Sequence, residues 1–548
     1  MTEQTLSPPA STEGSSQGGS SQFRNEIRRR RTFAIISHPD AGKTTLTEKL
    51  LLYSGCVATA GAVRGRKTQR AARSDWMELE RERGISITST VLSFEYEGLL
   101  LNLLDTPGHE DFSEDTYRTL TAVDCAVMVL DSVKGIEAQT KKLFAICAQR
   151  KIPIITFVNK LDRPGADPLG NLGEIEQVLG IHAVPLNWPV GTGRDFRGVY
   201  DLVDKELKLF SPVPQGAVRV PTQTAKLNDV PESLLDPLLL TKLRDEVDLI
   251  ECAGEPFTRE AFLEGQITPV FFGSALTNFG IELLLEALHE YAPPPAPRPS
   301  DKGMIPAERQ DFAGVIFKIQ ANLDPRHHDC VAFLRVCCGT FTRDMEVSIA
   351  RTGTKMRVSR SQRLFAQERE TMDVAYPGDV LGLTIPGQFR LGDTLCIGEP
   401  LQFTGQWQFP PECFATLRCT DTQRRKQFDK GLLQLVEEGA IQLLRDPLAP
   451  SQEPILAAVG ALQFDVVQFR LESEYRAVTT VHRLPYRMAR WVKGTTADIE
   501  NLKVPSTGRQ LVDEDGLTVV LFDTEGMFQY CRKMNPNVEF FDARPLRM

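Results

Sequence analysis

Residues 37–44 read Ser37-His-Pro-Asp-Ala-Gly-Lys-Thr44, between an apolar run and a helical pattern. In such a loop the backbone N–H groups point inward and bind phosphate oxygens, helped by the N-terminus of the following helix. Lys43 would neutralise charge on the β- and γ-phosphates, and the Thr44 hydroxyl would coordinate Mg²⁺. The usual pattern begins with glycine, whereas this chain has Ser37 there. The predicted nucleotide-binding residues of the loop are His38, Pro39, Asp40, Ala41, Gly42, Lys43, Thr44 and Thr45.

The loop belongs to a longer alternation of apolar runs and helical patterns, which extends to about residue 295. Further apolar runs lie at residues 100–104, 126–130, 152–158 and 270–272. Continuous apolar runs that are bounded by loops are typical of strands buried on both faces. Their alternation with helices predicts an α/β fold with a doubly wound, mostly parallel sheet.

A second motif, Asp105-Thr-Pro-Gly-His109, closes the apolar run at residues 100–104. Asp105 would hold Mg²⁺ through a water, and Gly108, which has no side chain, would let its N–H approach the γ-phosphate. His109 then stands where GTPases with such a loop orient the attacking water, and the alternative is a histidine in a surface loop. The predicted nucleotide-binding residues here are Asp105, Thr106, Pro107 and Gly108, and His109 is the predicted catalytic residue.

Two further motifs, Asn159-Lys-Leu-Asp162 and Ser274-Ala-Leu276, predict that the base is guanine. The Asp162 carboxylate can accept both N–H groups that guanine offers and adenine lacks. Asn159 would bond the base or tie loops together, the Lys160 stem would pack on the purine, and a backbone N–H of the last motif would meet the guanine carbonyl. Since all four motifs follow strands, the sequence predicts a hydrolase that binds GTP or GDP and Mg²⁺. The residues predicted to bind nucleotide here are Asn159, Lys160, Asp162, Ser274, Ala275 and Leu276.

Composition adds exclusions and a predicted tail. The net charge of −9 argues against a DNA-binding protein, and no apolar run reaches the roughly 20 residues of a membrane span. A secretory signal is not expected either. Residues 1–30 contain few large apolar side chains and are predicted to be a disordered tail. The run Arg28 to Arg31 either contacts a phosphate backbone or is a solvated charge run.

Changes of pattern along the chain predict three folded domains. A GTP-binding domain would span residues 31–295, with an inserted subdomain at about 180–265. After a proline-rich linker, short strand-like segments with glycine turns predict a β-barrel domain at 301–400. Residues 401–548 are predicted to form an α+β domain, in which the order β-α-β-β-α-β is that of a ferredoxin-like fold.

The motifs resemble those of the translational GTPases, the class to which the elongation factors belong. The resemblance rests on residues 38–45, 83–88 and 105–109, and the second of these segments would belong to the first switch loop. Where the class often has threonine, this chain has Ser86, whose hydroxyl would complete the Mg²⁺ shell; Thr88 is the alternative. Elongation factor G carries an inserted subdomain between its third and fourth motifs, as predicted here.

Within that class the chain is similar to the class II release factors, through residues 74–78, 109–118, 317–322 and 462–467. The resemblance implies a monomeric, cytoplasmic protein whose partners are the ribosome and class I release factors, with no DNA or membrane partner. It would promote departure of the class I factor after peptide release, and GTP hydrolysis would then drive its own release. No Gly-Gly-Gln tripeptide occurs, so the chain is not expected to cleave peptidyl-tRNA. The alternatives are an elongation-factor-G-like translocation GTPase and a scaffold that holds GTP without hydrolysing it.

Overall fold

The computed structural model describes most of the chain. The described ranges are residues 15–56, 89–211, 218–231, 234–321, 330–365, 368–384, 389–405, 410–449 and 453–544. The segment that contains Ser86 and Thr88 lies outside them, so the choice between these two predicted Mg²⁺ ligands stays a prediction. Within the described residues, no helix is both long and apolar enough to cross a membrane.

The N-terminal domain is built on a sheet of seven described strands. Across the sheet their order is Thr90–Tyr96, Leu99–Asp105, Arg30–Ser37, Cys125–Asp131, Ile154–Asn159, Ile267–Phe272 and His182–Pro185. The first pair is antiparallel, and the other described pairings are parallel. The helices of this domain are Lys43–Tyr53, Ser113–Leu120, Ala138–Gln149, Pro168–Leu179 and Ile281–Tyr291. The predicted mostly parallel, doubly wound sheet is confirmed.

The order of the strands determines where a ligand can bind. From the strand Arg30–Ser37 the chain goes first to one side of the sheet, and then returns to continue on the other side with Cys125–Asp131. The loops that follow these two strands therefore leave in opposite directions, which opens a crevice at the carboxyl edge. The motifs at residues 37–44 and 105–109 both end strands at this edge.

The inserted subdomain is an antiparallel sheet with two helices. Its strands are Asn187–Val190, Gly198–Asp201, Glu206–Phe210 and Thr222–Lys226, and its helices are Pro237–Ala253 and Arg259–Leu263. Trp188 is fully buried, and its Nε1–H donates to Glu246 Oε2 at 2.8 Å, which joins the sheet to the longer helix. The sheet begins after residue 185, since the strand His182–Pro185 pairs with the main sheet.

The second domain consists of short antiparallel strands. They are Arg298–Ser300, Gly303–Ile305, Ala313–Ala321, Cys330–Cys338, Phe341–Thr342, Glu346–Ile349, Lys355–Arg357, Ser361–Phe365, Glu368–Thr371, Val374–Ala375, Val380–Thr384 and Thr394–Cys396. The long pair Ala313–Ala321 and Cys330–Cys338 lies at the centre of an eight-stranded sheet of described residues. An apolar core that includes Ile316, Leu334 and Leu381 fills the interior.

The C-terminal region holds two α+β units with the same topology. The first consists of Cys413–Cys419, Arg425–Glu437, Gln442–Leu444, Ile455–Ala458, Leu462–Tyr475 and Thr479–Arg483, and the second of Met488–Lys493, Thr496–Glu500, Arg509–Val512, Thr518–Phe522, Glu525–Met534 and Glu539–Phe541. In each unit the strands stand in the spatial order second, third, first, fourth. The two sheets share a core that includes Phe414 and Trp491. The sequence indicated only the first unit.

The prediction of a disordered tail over residues 1–30 is wrong for its second half. Residues Ser15–Arg28 form a helix, on which Phe23 and Ile27 are buried against Ala307 and Tyr376. The composition of this stretch is polar, but these two apolar side chains are four residues apart and so lie on one helical face.

Two arginines of the run Arg28 to Arg31 are structural rather than solvated. Arg30 and Arg31 are both buried at the start of the first strand. Arg30 Nε lies 2.9 Å from Asp379 of the second domain, and its guanidinium stacks on Tyr376. Neither a charge run in water nor a free phosphate contact fits these two side chains.

Candidate nucleotide-binding site

The loop at residues 37–44 turns sharply from strand to helix. Gly42 caps the helix Lys43–Tyr53 with a φ of 100°, a left-handed conformation that favours glycine. A Cβ on Gly42 would lie 2.3 Å from Asn159 Nδ2, so a side chain is excluded by space as well as by backbone angle. The loop therefore packs directly against the motif that begins at Asn159.

A cavity of about 640 Å³ opens above this loop and is lined by all four motifs. Its lining residues are Ser37, His38, Pro39, Asp40, Gly42, Lys43, Thr44, Thr45, Gly108, His109, Lys134, Asn159, Lys160, Asp162, Arg163, Ala275 and Leu276. Residues that are far apart in the sequence thus meet at one site, and Leu276 stands on its rim at 58% exposure.

The remaining predicted site residues lie behind the cavity wall. Ala41 and Ser274 are buried, as is Asp105. The Thr106 hydroxyl donates to Ile35 O at 2.7 Å, and Pro107 O accepts the Thr116 hydroxyl at 3.1 Å. These contacts fix the backbone that leads to Gly108 and His109.

Thr44 and Asp105 provide oxygen ligands of the kind that Mg²⁺ prefers. Thr44 lines the cavity, and the Asp105 carboxylate is 3% exposed at the end of its strand. Asp105 Oδ1 lies 3.8 Å from Lys43 Nζ, so the anion and a cation share one buried corner. A hydroxyl and a carboxylate in this corner fit a hard divalent ion beside phosphate.

His109 forms part of the cavity wall, with about a third of its side chain exposed. Its Nδ1 lies 2.9 Å from Asp111 Oδ2, and its ring packs 6.0 Å from that of Phe112, measured between centroids. The ring is therefore held from one side while another side faces the cavity.

Asn159 ties the loops together. Its Nδ2 donates to Ala41 O at 2.8 Å, and its Oδ1 accepts the Ala275 N–H at 2.8 Å. Of the two predicted roles, the contacts of this side chain are those of a bridge between the first and fourth motifs. Asp162 accepts the Ser274 hydroxyl at 2.6 Å, which fixes the orientation of its carboxylate.

Lys160 and Asp131 form a buried support beneath the base side of the cavity. Lys160 Nζ donates to Asp40 O and lies 2.8 Å from Asp131 Oδ2. Burial would raise the pKa of Asp131, but the bond from Lys160 and the N–H groups of Val133 and Lys134 outweigh it and lower that pKa. The lysine is thus fixed by an ionised partner.

Sequence reasoning missed Lys134, Arg163 and Glu137. The first two line the cavity, and Glu137 Oε2 lies 2.6 Å from His38 Nε2 in the phosphate loop. Lys134 and Glu137 stand in the loop after Cys125–Asp131, and Arg163 in the loop after Ile154–Asn159, which are consecutive strands of the sheet. Their position after these strands could have indicated the site, because such loops converge in a doubly wound sheet. No local sequence motif marks the three residues.

Comparison with known proteins matches three family models to successive parts of the chain. Residues 28–294 match the elongation factor Tu GTP binding domain, residues 311–398 match elongation factor G domain 2, and residues 403–532 match the class II release factor RF3 C-terminal domain. A peptide chain release factor 3 from Gloeobacter violaceus is 52% identical over 95% of this chain and 98% of the relative. One from a Cyanothece species is 51% identical over 96% and 97%.

The chain belongs to the peptide chain release factor 3 family. A crystal structure of a Thermus thermophilus protein shares the fold, with a TM-score of 0.67 at 21% identity over 86% of this chain and 71% of that one. Family membership confirms the predicted GTP-hydrolysing translational GTPase that acts on the ribosome in termination. A guanine nucleotide is its ligand, and the translocation alternative is not favoured.

Proposed function

We propose that this protein acts after peptide release, promotes dissociation of the class I release factor from the ribosome, and then hydrolyses GTP to leave. The observation that carries the proposal is the single cavity in which the phosphate loop, His109 and Asp162 meet. Family membership supplies termination as the setting. We propose further that it works as a monomer in the cytoplasm, with no DNA or membrane partner.

At the phosphate end, the loop N–H groups and Lys43 bind the β- and γ-phosphates. Thr44 and Asp105 would hold Mg²⁺, and the hydroxyl of Ser86 or Thr88 would be a further ligand. When bound, the ion neutralises charge on the phosphate oxygens. The 3.8 Å distance between Asp105 and Lys43 supports this division, because both lie beside the same part of the loop.

At the base end, Asp162 accepts the two guanine N–H groups while Ser274 fixes its carboxylate. The Ser274 N–H donates to Phe279 O, and the Ala275 N–H donates to Asn159 Oδ1. We therefore assign the N–H that meets the guanine carbonyl to Leu276, which lines the cavity. Lys160 packs its stem on the purine, since its ammonium is held by Asp131.

For hydrolysis, His109 orients the attacking water opposite the leaving phosphate. Its place in the cavity wall supports this role, and Gly108 next to it leaves room for the γ-phosphate. Turnover of the free protein is slow because the water and the switch segments are not yet held. The ribosome completes the arrangement from outside.

The deciding assay uses ribosomes stalled at a stop codon, with the peptide released and a labelled class I factor still bound. The protein with GTP should accelerate loss of the label, and His109→Ala should cut multiple turnover by about 100-fold or more with nearly unchanged GTP binding. His182→Ala, a histidine that is 61% exposed on the edge strand, is the matched control.

Two results would contradict the proposal. Label loss at the unassisted rate removes the role in factor dissociation, whereas efficient tRNA movement on pre-translocation ribosomes would point to a translocation factor. Full turnover by His109→Ala would remove only the catalytic assignment.

A further inference from the structure

The first C-terminal unit contacts the segment directly after His109. Asp111 Oδ1 accepts the Leu462 N–H at 3.2 Å, at the start of the helix Leu462–Tyr475. Phe112 is 6% exposed and packs with Val466 of that helix in a small apolar cluster. A region some 350 positions away in sequence thus covers the residues that follow the proposed catalytic histidine.

The first C-terminal unit also contacts the helix that follows this segment. Arg118 of the helix Ser113–Leu120 donates to Gly439 O at 3.1 Å in the first C-terminal unit. Glu438, next to that glycine, is held at 2.6 Å by the buried Arg470. The C-terminal unit therefore contacts the segment after His109 at two separate points.

Asp111 uses its two carboxylate oxygens for two different partners. One accepts from Leu462, and the other lies 2.9 Å from His109 Nδ1. The Asp111 N–H lies 3.4 Å from the same nitrogen, a longer contact than the carboxylate makes. A charged acceptor at the shorter distance favours the tautomer with the proton on Nδ1, which leaves Nε2 to meet a water.

We propose that Asp111 is a positioning residue that fixes the tautomer and orientation of His109, and that docking of the first C-terminal unit at Gly460 and Leu462 sets Asp111. GTP hydrolysis is thereby coupled to the position of the C-terminal region. The proposal rests on the catalytic role proposed for His109, because only a histidine that orients water gains from a fixed tautomer.

Gly460 gives a direct way to disturb this docking from the distant side. A Cβ at Gly460 would lie 2.1 Å from Asp111 Oδ1 and 2.5 Å from Asp111 Cα, closer than atoms can approach. The backbone there is not left-handed, so alanine suits the local conformation and only the contact with Asp111 is lost. Gly460→Ala should therefore separate the first C-terminal unit from the segment after His109, and Gly460 does not line the nucleotide cavity.

The test measures single-turnover GTP hydrolysis on ribosomes and GTP affinity of the free protein. Gly460→Ala should lower the hydrolysis rate by about tenfold or more with GTP affinity within about twofold. Gly526→Ala is the matched control, since a Cβ there meets no atom within 4 Å. If the two glycine variants behave alike while His109→Ala loses turnover, the coupling is wrong and the proposed function stands.

Asp111→Asn tests the same link without a steric change. Asparagine keeps one acceptor oxygen where aspartate has two, and His109 and Leu462 contact different oxygens of Asp111, so one of them loses its acceptor. Hydrolysis should fall as for Gly460→Ala, and the ¹⁵N spectrum of labelled histidines should show a changed tautomer for His109, assigned by its absence in His109→Ala. An unchanged His109 signal together with full hydrolysis would overturn the proposal. Full turnover by His109→Ala itself would instead remove the proposed catalytic role.

Discussion

The β-barrel domain and the first C-terminal unit both dock on the GTP-binding domain, but through different chemistry. At the barrel junction the fully buried Asp124 accepts Arg335 at 2.5 Å and Arg298 at 2.8 Å. Arg335 also donates to Thr32 and to Gly378 O. Burial lowers the pKa of Arg335, and the neighbouring Asp124 opposes that shift.

The junction with the C-terminal unit relies on weaker contacts. Asp111 meets a backbone N–H, Phe112 meets Val466, and Arg118 meets backbone carbonyls. Breaking a buried ion pair leaves a charge without a partner, whereas water can replace a lost contact at a partly exposed backbone group. We therefore expect the barrel and the GTP-binding domain to behave as one body, and the C-terminal docking to be the contact that changes more easily.

Asp124→Asn, which removes the charge that balances Arg335, should be the most destabilising variant. Because the guanidinium stays buried, the variant should lose about 3–5 kcal/mol of unfolding free energy. Guanidinium chloride unfolding measures the loss. The control is Asp429→Asn, where an exposed aspartate pairs with Arg425 on one helix and contributes little. Equal midpoints for the two variants would show that the ion pair does not hold the junction.

A smaller effect is expected from Phe112→Ala at the other junction. Losing the buried ring should lower stability by about 2 kcal/mol. Hydrogen exchange should rise at residues 460–463, while strand Cys330–Cys338 at the barrel junction stays protected. Val466→Ala removes the side chain that Phe112 packs against. The double variant should lose less unfolding free energy than the sum of the losses of the two single variants. Additive losses would mean that these side chains do not stabilise one another.

The contrast between the junctions also explains what the sequence could reveal. The four motifs were found because each follows its own strand, and sheet topology alone brings strand ends together. The pairs Asp124 with Arg335 and Asp111 with Leu462 are 211 and 351 positions apart, and no periodic pattern marks either partner. The second C-terminal unit was missed because its helix Thr496–Glu500 has only five residues, too few to show a helical period in the sequence.

The smallest effect is expected at Lys318 of the barrel, which contacts the helix Ser113–Leu120. The C-terminal unit contacts the same helix. Its Nζ lies 2.9 Å from Ser89 Oγ and 3.3 Å from Asp115 Oδ2. Burial would raise the pKa of Asp115, but Lys318 and two hydrogen bonds from Ser89 outweigh it and lower that pKa. An aspartate with a lowered pKa stabilises the fold above its unfolded value near 4, and that contribution is lost as the pH falls through the folded value.

Lys318→Met should therefore destabilise the protein by roughly 1 kcal/mol at neutral pH, and the deficit should shrink below about pH 4. It should not vanish, because the lost bonds to Ser89 do not titrate with Asp115. The matched control is Lys355→Met, whose partner Glu346 is 68% exposed at 3.8 Å, so no pH-dependent deficit is expected. Stability curves from pH 3 to 8 measure both variants. A Lys318→Met deficit that is constant with pH would show that the ionised Asp115 does not help to hold the barrel, which would leave the charged junction to Asp124 with its arginines and to the pair of Arg30 with Asp379.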